Sequence, residues 1–299
     1  MNEKAKRFLT KNGVTSLLGR KIFLSGATSG IGEEAAKMMA ELGAELFLPY
    51  RTERKKADLE KEIISSFPST ILHFYKYDQS SFSSIVAMSQ ALEKEDIDSF
   101  IFNAGVMHPD KGAVTETGNS LTFGTNALGV HELFSLLKKS HPNAQYCFVS
   151  SITNIPPGKK DYSSYLVPES HLRFLEYCVS KRAIMNIFVS SYEDEDNVVM
   201  AHPGVAKSQI YKGLGKIVYN LGNAVLTITT HPVWKAALSL VLLSSGNYSK
   251  GTYLVPRGLF EIWGYPKKKK IPAKAYHSYQ NLEKTLLLAE ERDTASFKE

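Results

Sequence analysis

The stretch IFLSGATSGIG, residues 22–32, links a short apolar run to a segment with helical spacing and carries Gly26, Gly30 and Gly32. A short apolar run that ends in glycine is typical of a buried strand, and apolar side chains three and four residues apart indicate a helix. Glycine lets the backbone approach a phosphate closely, and the first turn of a helix offers free N–H groups. The stretch therefore predicts a nucleotide-binding turn, with a tight turn that binds no ligand as the alternative.

The rest of the chain repeats this alternation of strand and helix. Further strands are predicted at 44–50, 70–78, 98–105, 144–151, 197–204 and 251–258. Helices are predicted at 30–42, 53–65, 80–94, 119–138, 171–192 and 231–244. Such alternation predicts an α/β fold, a Rossmann-type doubly wound parallel sheet of about seven strands with helices on both faces. We assign residues 20–265 to this single domain, 1–19 to an N-terminal extension and 266–299 to a basic segment and a helix.

Composition and charge narrow the class of protein. Apolar residues make up 43% of the 299 residues, which suits a chain with a large core. The net charge is +6, and the run Lys267 to Lys270 is interpreted as solvated, with weak attraction to anionic lipid as the alternative. The polar N-terminus predicts neither a secretory signal nor a membrane span, and Cys147 and Cys178 suit reduced thiols. We expect a cytoplasmic protein that binds no nucleic acid and no metal, with peripheral membrane contact left open.

The end of the second predicted strand bears on the choice of nucleotide. In dinucleotide-binding folds this position meets the adenosine ribose, where an acidic residue favours NAD and an arginine accepts a 2′-phosphate. Arg51 stands here, and its guanidinium can donate bidentate hydrogen bonds to phosphate. The sequence therefore predicts NADP(H) in preference to NAD(H), with a solvated surface arginine as the alternative.

Five further motifs follow the glycine turn in order: FNAG at 102–105, TNALGVHELFSLL at 125–137, CFVSS at 147–151, YCVSK at 177–181 and HPGVAKS at 202–208. Together with SGATSGIG at 25–32, they resemble the motifs of the short-chain dehydrogenase/reductase family. Ser25, Phe102 and Ser208 stand where that family usually has Thr, Asn and Thr. The YR after strand two, the HPG segment and the spacing from Ser151 to Tyr177 resemble the branch of the retinol dehydrogenases and the WW-domain oxidoreductase.

The resemblance implies a carbonyl–alcohol oxidoreductase with a defined set of site residues. The catalytic residues it implies are Asn126, Ser151, Tyr177 and Lys181. The cofactor-binding residues are Gly26, Thr28, Ser29, Gly30, Ile31, Gly32, Arg51, Asp78, Asn103, Ala104, Gly105, Tyr177, Lys181, Pro203, Gly204, Val205 and Ser208.

Tyr177 and Lys181 are four residues apart and share one helical face. A nearby ammonium favours the phenolate and lowers the pKa of a tyrosine from its usual value of about 10. We hypothesise that Tyr177 donates a proton to a carbonyl oxygen while the reduced cofactor delivers hydride to carbon. Ser151 would stabilise the charge on that oxygen, Lys181 would hold the nicotinamide ribose, and Asn126 would hold a relay water.

Several of these assignments have alternatives. Side chains alternate along a strand, so only one of Ser150 and Ser151 faces the site, and we assign Ser151. Asp78 either contacts adenine or closes a turn. Cys178 and His202 are interpreted as packing and structural residues.

Residues 205–230 correspond to the variable substrate lid of the family. Their apolar side chains fit a pocket for a lipophilic substrate such as a retinoid, a steroid or a fatty aldehyde, with core packing or an interfacial helix as alternatives. Two rival functions are a non-catalytic NADP(H)-sensing protein and a membrane-surface interaction protein. The family resemblance also implies a homo-oligomer, for which the residues themselves show no interface.

Overall fold

The computed structural model describes residues 1–107, 109–154, 156–157, 161–168, 172–194, 196–206, 231–272 and 282–289. The strands are β1 (Lys21–Leu24), β2 (Glu45–Tyr50), β3 (Leu72–Lys76), β4 (Ser99–Phe102), β5 (Gln145–Val149), β6 (Val198–Ala201), β7 (Tyr253–Pro256) and β8 (Pro266–Lys269). The helices are α1 (Glu3–Lys11), α2 (Gly30–Glu41), α3 (Glu53–Ser66), α4 (Phe82–Leu92), α5 (121–140), α6 (Arg173–Glu193), α7 (Val233–Ser244) and α8 (282–289). Helix α5 starts at Leu121–Phe123, passes through a π-helical stretch at Gly124–Leu128 and continues as Gly129–Ser140.

The strands form one sheet in the order β3-β2-β1-β4-β5-β6-β7-β8. Strands β1 to β7 are parallel, and Ile22 of β1 lies between Leu46 of β2 and Ser99 of β4. The chain order reverses between β1 and β4, and such a reversal opens a crevice at the carboxyl ends of the strands. The predicted α/β class and doubly wound sheet are confirmed, and the candidate site lies at this edge.

The exposed lysine run at 267–270 overlaps an additional, eighth strand of the sheet. The prediction of about seven strands is corrected because Pro266–Lys269 pairs antiparallel with β7, with Lys268 opposite Leu254. The lysine side chains stay exposed while the backbone completes the sheet edge. The segment has no alternation of apolar side chains from which a strand could be predicted, and exposed lysines are common on edge strands.

The two faces of the sheet bury different side chains. Large aromatic residues such as Phe23, Phe100 and Tyr146 face α4, α5, α6 and α8. Smaller aliphatic residues such as Ile22 and Val199 face α1, α2, α3 and α7. Since side chains alternate along a strand, inner strands such as β1 and β4 contribute to both cores. Burial on both faces explains why the strands read as continuous apolar runs.

The first helix belongs to the aliphatic core. Asn2 caps α1 by accepting a hydrogen bond from the Ala5 N–H (2.9 Å), and Ala5 and Leu9 are buried. The sequence analysis predicted no helix here, because its short apolar stripe is surrounded by lysines. Packing against the domain stabilises such a short helix.

Candidate active site

The β1–α2 turn is built on close backbone approaches. Gly26 has a φ of +71°, and a Cβ on it would lie 2.9 Å from the Ala104 Cα. A Cβ on Gly32 would lie 2.3 Å from the Gly26 carbonyl oxygen. Both positions therefore require glycine, and together they fold the turn against the loop that follows β4.

Ser25 and Asn103 lock this turn to the neighbouring loop. The Ser25 hydroxyl accepts hydrogen bonds from the N–H groups of Asn103 (3.0 Å) and Ala104 (2.9 Å). The Asn103 carboxamide donates to the carbonyl of Ser25 (3.0 Å) and to that of Gly26 (3.4 Å). A serine hydroxyl thus accepts both bonds at the position where the family usually has threonine. The resemblance had placed Asn103 at the cofactor; its side chain shapes the glycine turn.

The start of α2 is open to an anion. Ser29 is the N-cap residue, and its side chain makes no capping hydrogen bond to the first-turn N–H groups of the helix. Thr28 and Ile31 beside it are half-buried and line the same turn. These uncapped donors and the positive end of the helix dipole fit a pyrophosphate.

Arg51 lies at the end of β2, next to this turn in the sheet order. Its side chain is exposed, and its backbone carbonyl accepts a hydrogen bond from the Lys76 ammonium (3.0 Å). The neighbouring Arg54 pairs weakly with Asp58 at 4.0 Å. The position suits a 2′-phosphate, since the guanidinium is free to turn toward a ligand at the strand end.

Asp78 closes a turn after β3. Its Oδ1 accepts hydrogen bonds from the Ser80 N–H (2.9 Å) and the Ser80 hydroxyl (2.7 Å). The Asp78 N–H in turn donates to the hydroxyl of Ser84 (2.9 Å). This is the turn role that was the alternative to adenine contact, and the half-buried carboxylate keeps a second oxygen for a ligand.

Tyr177 and Lys181 lie together on the inner face of α6. The Lys181 ammonium donates to the Val149 carbonyl (3.1 Å) at the end of β5 and lies 5.9 Å from the centre of the Tyr177 ring. Burial lowers the pKa of Lys181 from 10.5 to about 8. Gly105 completes the group, because a Cβ there would lie 3.5 Å from the Lys181 nitrogen. The tightest approach of such a Cβ would be to the Asn126 Oδ1 (3.0 Å), so a larger residue at 105 would crowd the Asn126 carboxamide.

Asn126 lies fully buried in the π-helical part of α5. Its carboxamide accepts from the Val106 N–H (2.8 Å) and donates to the Val106 carbonyl (2.9 Å) and the Ser180 hydroxyl (3.0 Å). Ser180 donates to the Tyr177 carbonyl (2.7 Å), so Asn126 joins the loop after β4 to the helix of the Tyr–Lys pair. Its side chain is occupied in holding these elements, and single π-helical turns are frequent at functional sites.

Ser150 and Ser151 have different surroundings. Ser150 is buried, and its hydroxyl donates to the Lys181 carbonyl (3.1 Å). Ser151 is half-buried, and its hydroxyl shares a hydrogen bond with Thr153 (3.0 Å). Cys178 is fully buried, and burial raises the pKa of its thiol. Ser151 stays the predicted catalytic serine, and the Ser150 hydroxyl is used by the Lys181 carbonyl.

Two histidines hold the loop that carries Pro203 and Gly204. His202 accepts from the Gly204 N–H (3.3 Å) and contacts the Glu261 carbonyl (3.1 Å). His231 contacts the Pro203 carbonyl (2.9 Å), and burial lowers the pKa of His202 to about 4. The structural interpretation of His202 fits these contacts. His231 was not predicted, because it lies far from the loop in sequence.

Of the remaining predicted cofactor-binding residues, Val205 lies in the described part of the chain. The N–H of Val205 donates to the Ile262 carbonyl (2.8 Å). Ser208, and residues 207–230 of the predicted lid, lie outside the described residues. Among the residues that are described, no three His, Cys, Asp or Glu side chains are grouped as metal ligands.

Comparison with known proteins identifies the class. The family model of the short chain dehydrogenases matches residues 20–160, which include the glycine turn, Asn103 and Ser151. The fold is shared with an uncharacterized protein from Mycobacterium paratuberculosis, at a TM-score of 0.72, 21% identity, and coverage of 94% of this chain and 96% of that one. A short-chain dehydrogenase from Sphingobium yanoikuyae in complex with NADPH aligns at a TM-score of 0.57 and 14% identity, over 75% of this chain and 83% of that one. The predicted resemblance to the short-chain dehydrogenase/reductase family is confirmed by this match over residues 20–160.

Within that family, the chain is distantly related to the retinol dehydrogenases and the WW-domain oxidoreductase, as predicted. Human retinol dehydrogenase 11 is 28% identical over 213 residues, which are 66% of this chain and 64% of that protein. The chicken (Gallus gallus) WW domain-containing oxidoreductase is 28% identical over 209 residues, 66% of this chain and 49% of that protein. The chain thus spans less than two thirds of the length of these relatives.

None of the helices in the described ranges is both long and apolar enough to cross a bilayer.

Proposed function

We propose that this protein is an NADP(H)-dependent oxidoreductase that interconverts a carbonyl group and an alcohol. The observation that supports this best is the Lys181 ammonium, which lies 5.9 Å from the centre of the Tyr177 ring and donates to the Val149 carbonyl, two residues before Ser151. Two separate segments, α6 and the loop after β5, contribute these groups, and they lie at the sheet edge where dinucleotide-binding folds hold their ligand. The fold alone would not indicate chemistry, whereas this combination of acid, cation and hydroxyl does.

The residues present fit the cofactor. The uncapped start of α2 suits the pyrophosphate, and the exposed Arg51 suits the 2′-phosphate. A lysine ammonium has three donors, so Lys181 can hold Val149 and ribose hydroxyls at once. The NADPH complex of the Sphingobium relative supports the same choice of nucleotide.

The chemistry of the chain itself is proton transfer and charge stabilisation. When bound, NADPH supplies a hydride to the carbonyl carbon. Tyr177 donates its phenolic proton to the carbonyl oxygen, and the ammonium of Lys181 favours the phenolate that remains. Ser151 donates a hydrogen bond to the same oxygen, where negative charge develops. In the alcohol-oxidising direction, the Tyr177 phenolate accepts the proton back.

The substrate is proposed to be lipophilic. Support comes from the relationship to retinol dehydrogenase 11 and from the apolar residues of the sequence at 205–230. A cytoplasmic location, peripheral membrane contact and a homo-oligomer stay predictions. The free, buried thiols of Cys147 and Cys178 suit a reducing compartment.

The test is turnover of a panel of lipophilic aldehydes and ketones with NADPH and NADH in parallel. Tyr177→Phe should lower kcat by about 10²- to 10⁴-fold, because the proton donor is lost while the ring remains. Binding of NADPH, followed by fluorescence titration, should change little. Tyr192→Phe, near the far end of α6, is the matched control and should keep wild-type turnover.

Two outcomes would contradict the proposal. Full activity of Tyr177→Phe would remove the assigned acid. Tight NADPH binding without turnover of any carbonyl compound by the wild type would instead favour a nucleotide-sensing protein.

A further inference from the structure

A cavity lies against the start of α6 and is lined by Glu176, the residue before Tyr177. It encloses about 190 Å³ between the loop 109–113, the start of α5 and the first turn of α6. For scale, an apolar cavity of about 150 Å³ in another protein admits benzene. The space is therefore large enough for a ring or a short chain with one polar group.

Glu176 is the ionisable group that lines this cavity deepest in the fold. Its side chain is buried, with 9% of the residue exposed, and the Ser120 hydroxyl donates a hydrogen bond to its Oε1. Burial raises the pKa of the carboxyl from 4.5 to about 7. The carboxyl also lies near Tyr165, whose pKa is raised first by burial and then by the charge of Glu176. A carboxyl so placed presents an acceptor oxygen to the cavity at neutral pH.

Thr122 adds a second polar group to the same wall. It is fully buried, and among the described residues its hydroxyl has no hydrogen-bond partner. A buried hydroxyl without a partner is costly and rare in folded proteins, so a partner inside the cavity is expected. Glu176 and Thr122 come from different helices and line one enclosed space.

The loop that forms the opposite wall is held in place by α6. Arg173 donates a hydrogen bond to the Pro109 carbonyl (3.0 Å), which ties the loop to the first turn of the helix. The cavity thus has fixed walls on both sides.

We propose that this cavity is a binding subsite for a hydroxyl group of the substrate. A hydroxyl both donates and accepts, so one such group can donate to Glu176 and pair with Thr122 at the same time. It also keeps its bond to the carboxyl in either protonation state, because both states have an acceptor oxygen. Glu176 and Tyr177 are consecutive in α6, with Cα atoms about 3.8 Å apart. The inference rests on the proposed oxidoreductase function and specifies its substrate as a carbonyl compound with a second, hydroxyl-bearing end.

The experiment compares ω-hydroxyalkanals with unsubstituted alkanals of equal chain length, from four to ten carbons, with NADPH as reductant. The readout is the ratio of kcat/KM for the hydroxylated compound to that for the plain one. Glu176→Gln should lower this ratio by about tenfold or more, which is the loss expected for a hydrogen bond to a charged group. Turnover of the plain alkanals should stay within about twofold of wild type, because Tyr177 is intact.

Three further variants interpret the result. Glu193→Gln, an exposed carboxyl at the other end of α6, is the matched control and should leave the ratio unchanged. Thr122→Val should lower the ratio in the same direction as Glu176→Gln. If Glu176→Gln fails to fold, as judged by circular dichroism melting, Thr122→Val and Ser120→Ala carry the test.

A binding measurement separates this inference from the proposed function. Alkane diols and 1-alkanols of equal length are titrated against the wild type and Glu176→Gln, with tryptophan fluorescence as the signal. A diol preference that disappears in Glu176→Gln supports the subsite even where no carbonyl is turned over. Three outcomes would overturn the hydroxyl assignment. The kcat/KM ratios could be equal in the wild type and Glu176→Gln, or the wild type could show no diol preference because water fills the cavity. An ω-amino alcohol could also bind more tightly than the diol.

Discussion

Asn103 donates two hydrogen bonds to Ser25, one from its backbone N–H to the Ser25 hydroxyl (3.0 Å) and one from its carboxamide to the Ser25 carbonyl (3.0 Å). This pair fixes the glycine turn against the loop that leads to Asn126 and the Tyr–Lys helix. The glycine turn and the loop after β4 are therefore held together by these hydrogen bonds.

Loss of the Ser25 hydroxyl should destabilise the fold. Ser25→Ala leaves the N–H groups of Asn103 and Ala104 without their acceptor in a fully buried place. We expect the free energy of unfolding to fall by about 1–3 kcal/mol, measured by urea denaturation. Ser25→Thr restores the hydroxyl and should recover most of the loss; equal stability of the Ala variant and the wild type would refute the role.

Arg51 should set the preference between NADPH and NADH. Arg51→Ala removes the guanidinium proposed to bind the 2′-phosphate. It should weaken the binding affinity for NADPH by about tenfold or more, as expected for a charge-assisted bidentate contact. Affinity for NADH, which lacks that phosphate, should change little. Arg54→Ala, three residues away and exposed, is the control. A wild-type enzyme that prefers NADH would contradict the assignment at once.

Ser151 and Ser150 should separate in turnover. Ser151→Ala removes the donor proposed for the developing oxyanion and should lower kcat by about 10²- to 10³-fold. Ser150→Ala breaks only a buried hydrogen bond to the Lys181 carbonyl, so it should act mainly on stability. Steady-state kinetics and thermal melting of both variants decide the matter. The reverse pattern would mean that Ser150 is the catalytic serine.

The buried ammonium of Lys181 should make stability depend on alkaline pH. Its pKa is lowered from 10.5 to about 8 in the folded chain, so between these values the unfolded chain binds more protons. The free energy of unfolding of the wild type should therefore rise with pH across this range. Relative to Lys181→Met, in which the group cannot titrate, the gain from pH 8 to pH 10 should be about 2 kcal/mol.

The measurement is urea denaturation of both proteins at several pH values without cofactor. The difference between the two proteins cancels the other titrating groups. A difference that stays constant with pH would show that the ammonium keeps its usual pKa in the folded chain.

The α/β class, the seven parallel strands and the family were predictable from the sequence. Buried parallel strands are continuous apolar runs, and the motif SGATSGIG at 25–32 and the Tyr177–Lys181 spacing depend on local backbone requirements. Both kinds of signal lie within short segments of chain. For this reason the helix bounds agreed with the structure to within two or three residues.

Other features depended on contacts between distant segments. Strand β8 joins the sheet through backbone hydrogen bonds that its lysine side chains do not encode. His231 holds the Pro203 carbonyl from 28 residues away, and Glu176 meets Ser120 across 56 residues. The motifs of the sequence determined which chemical groups this protein has. The tertiary structure buried Ser150, left Ser151 half-buried and placed Glu176 and Thr122 on the wall of one cavity, because burial and partnership arise only when the helices and strands pack together.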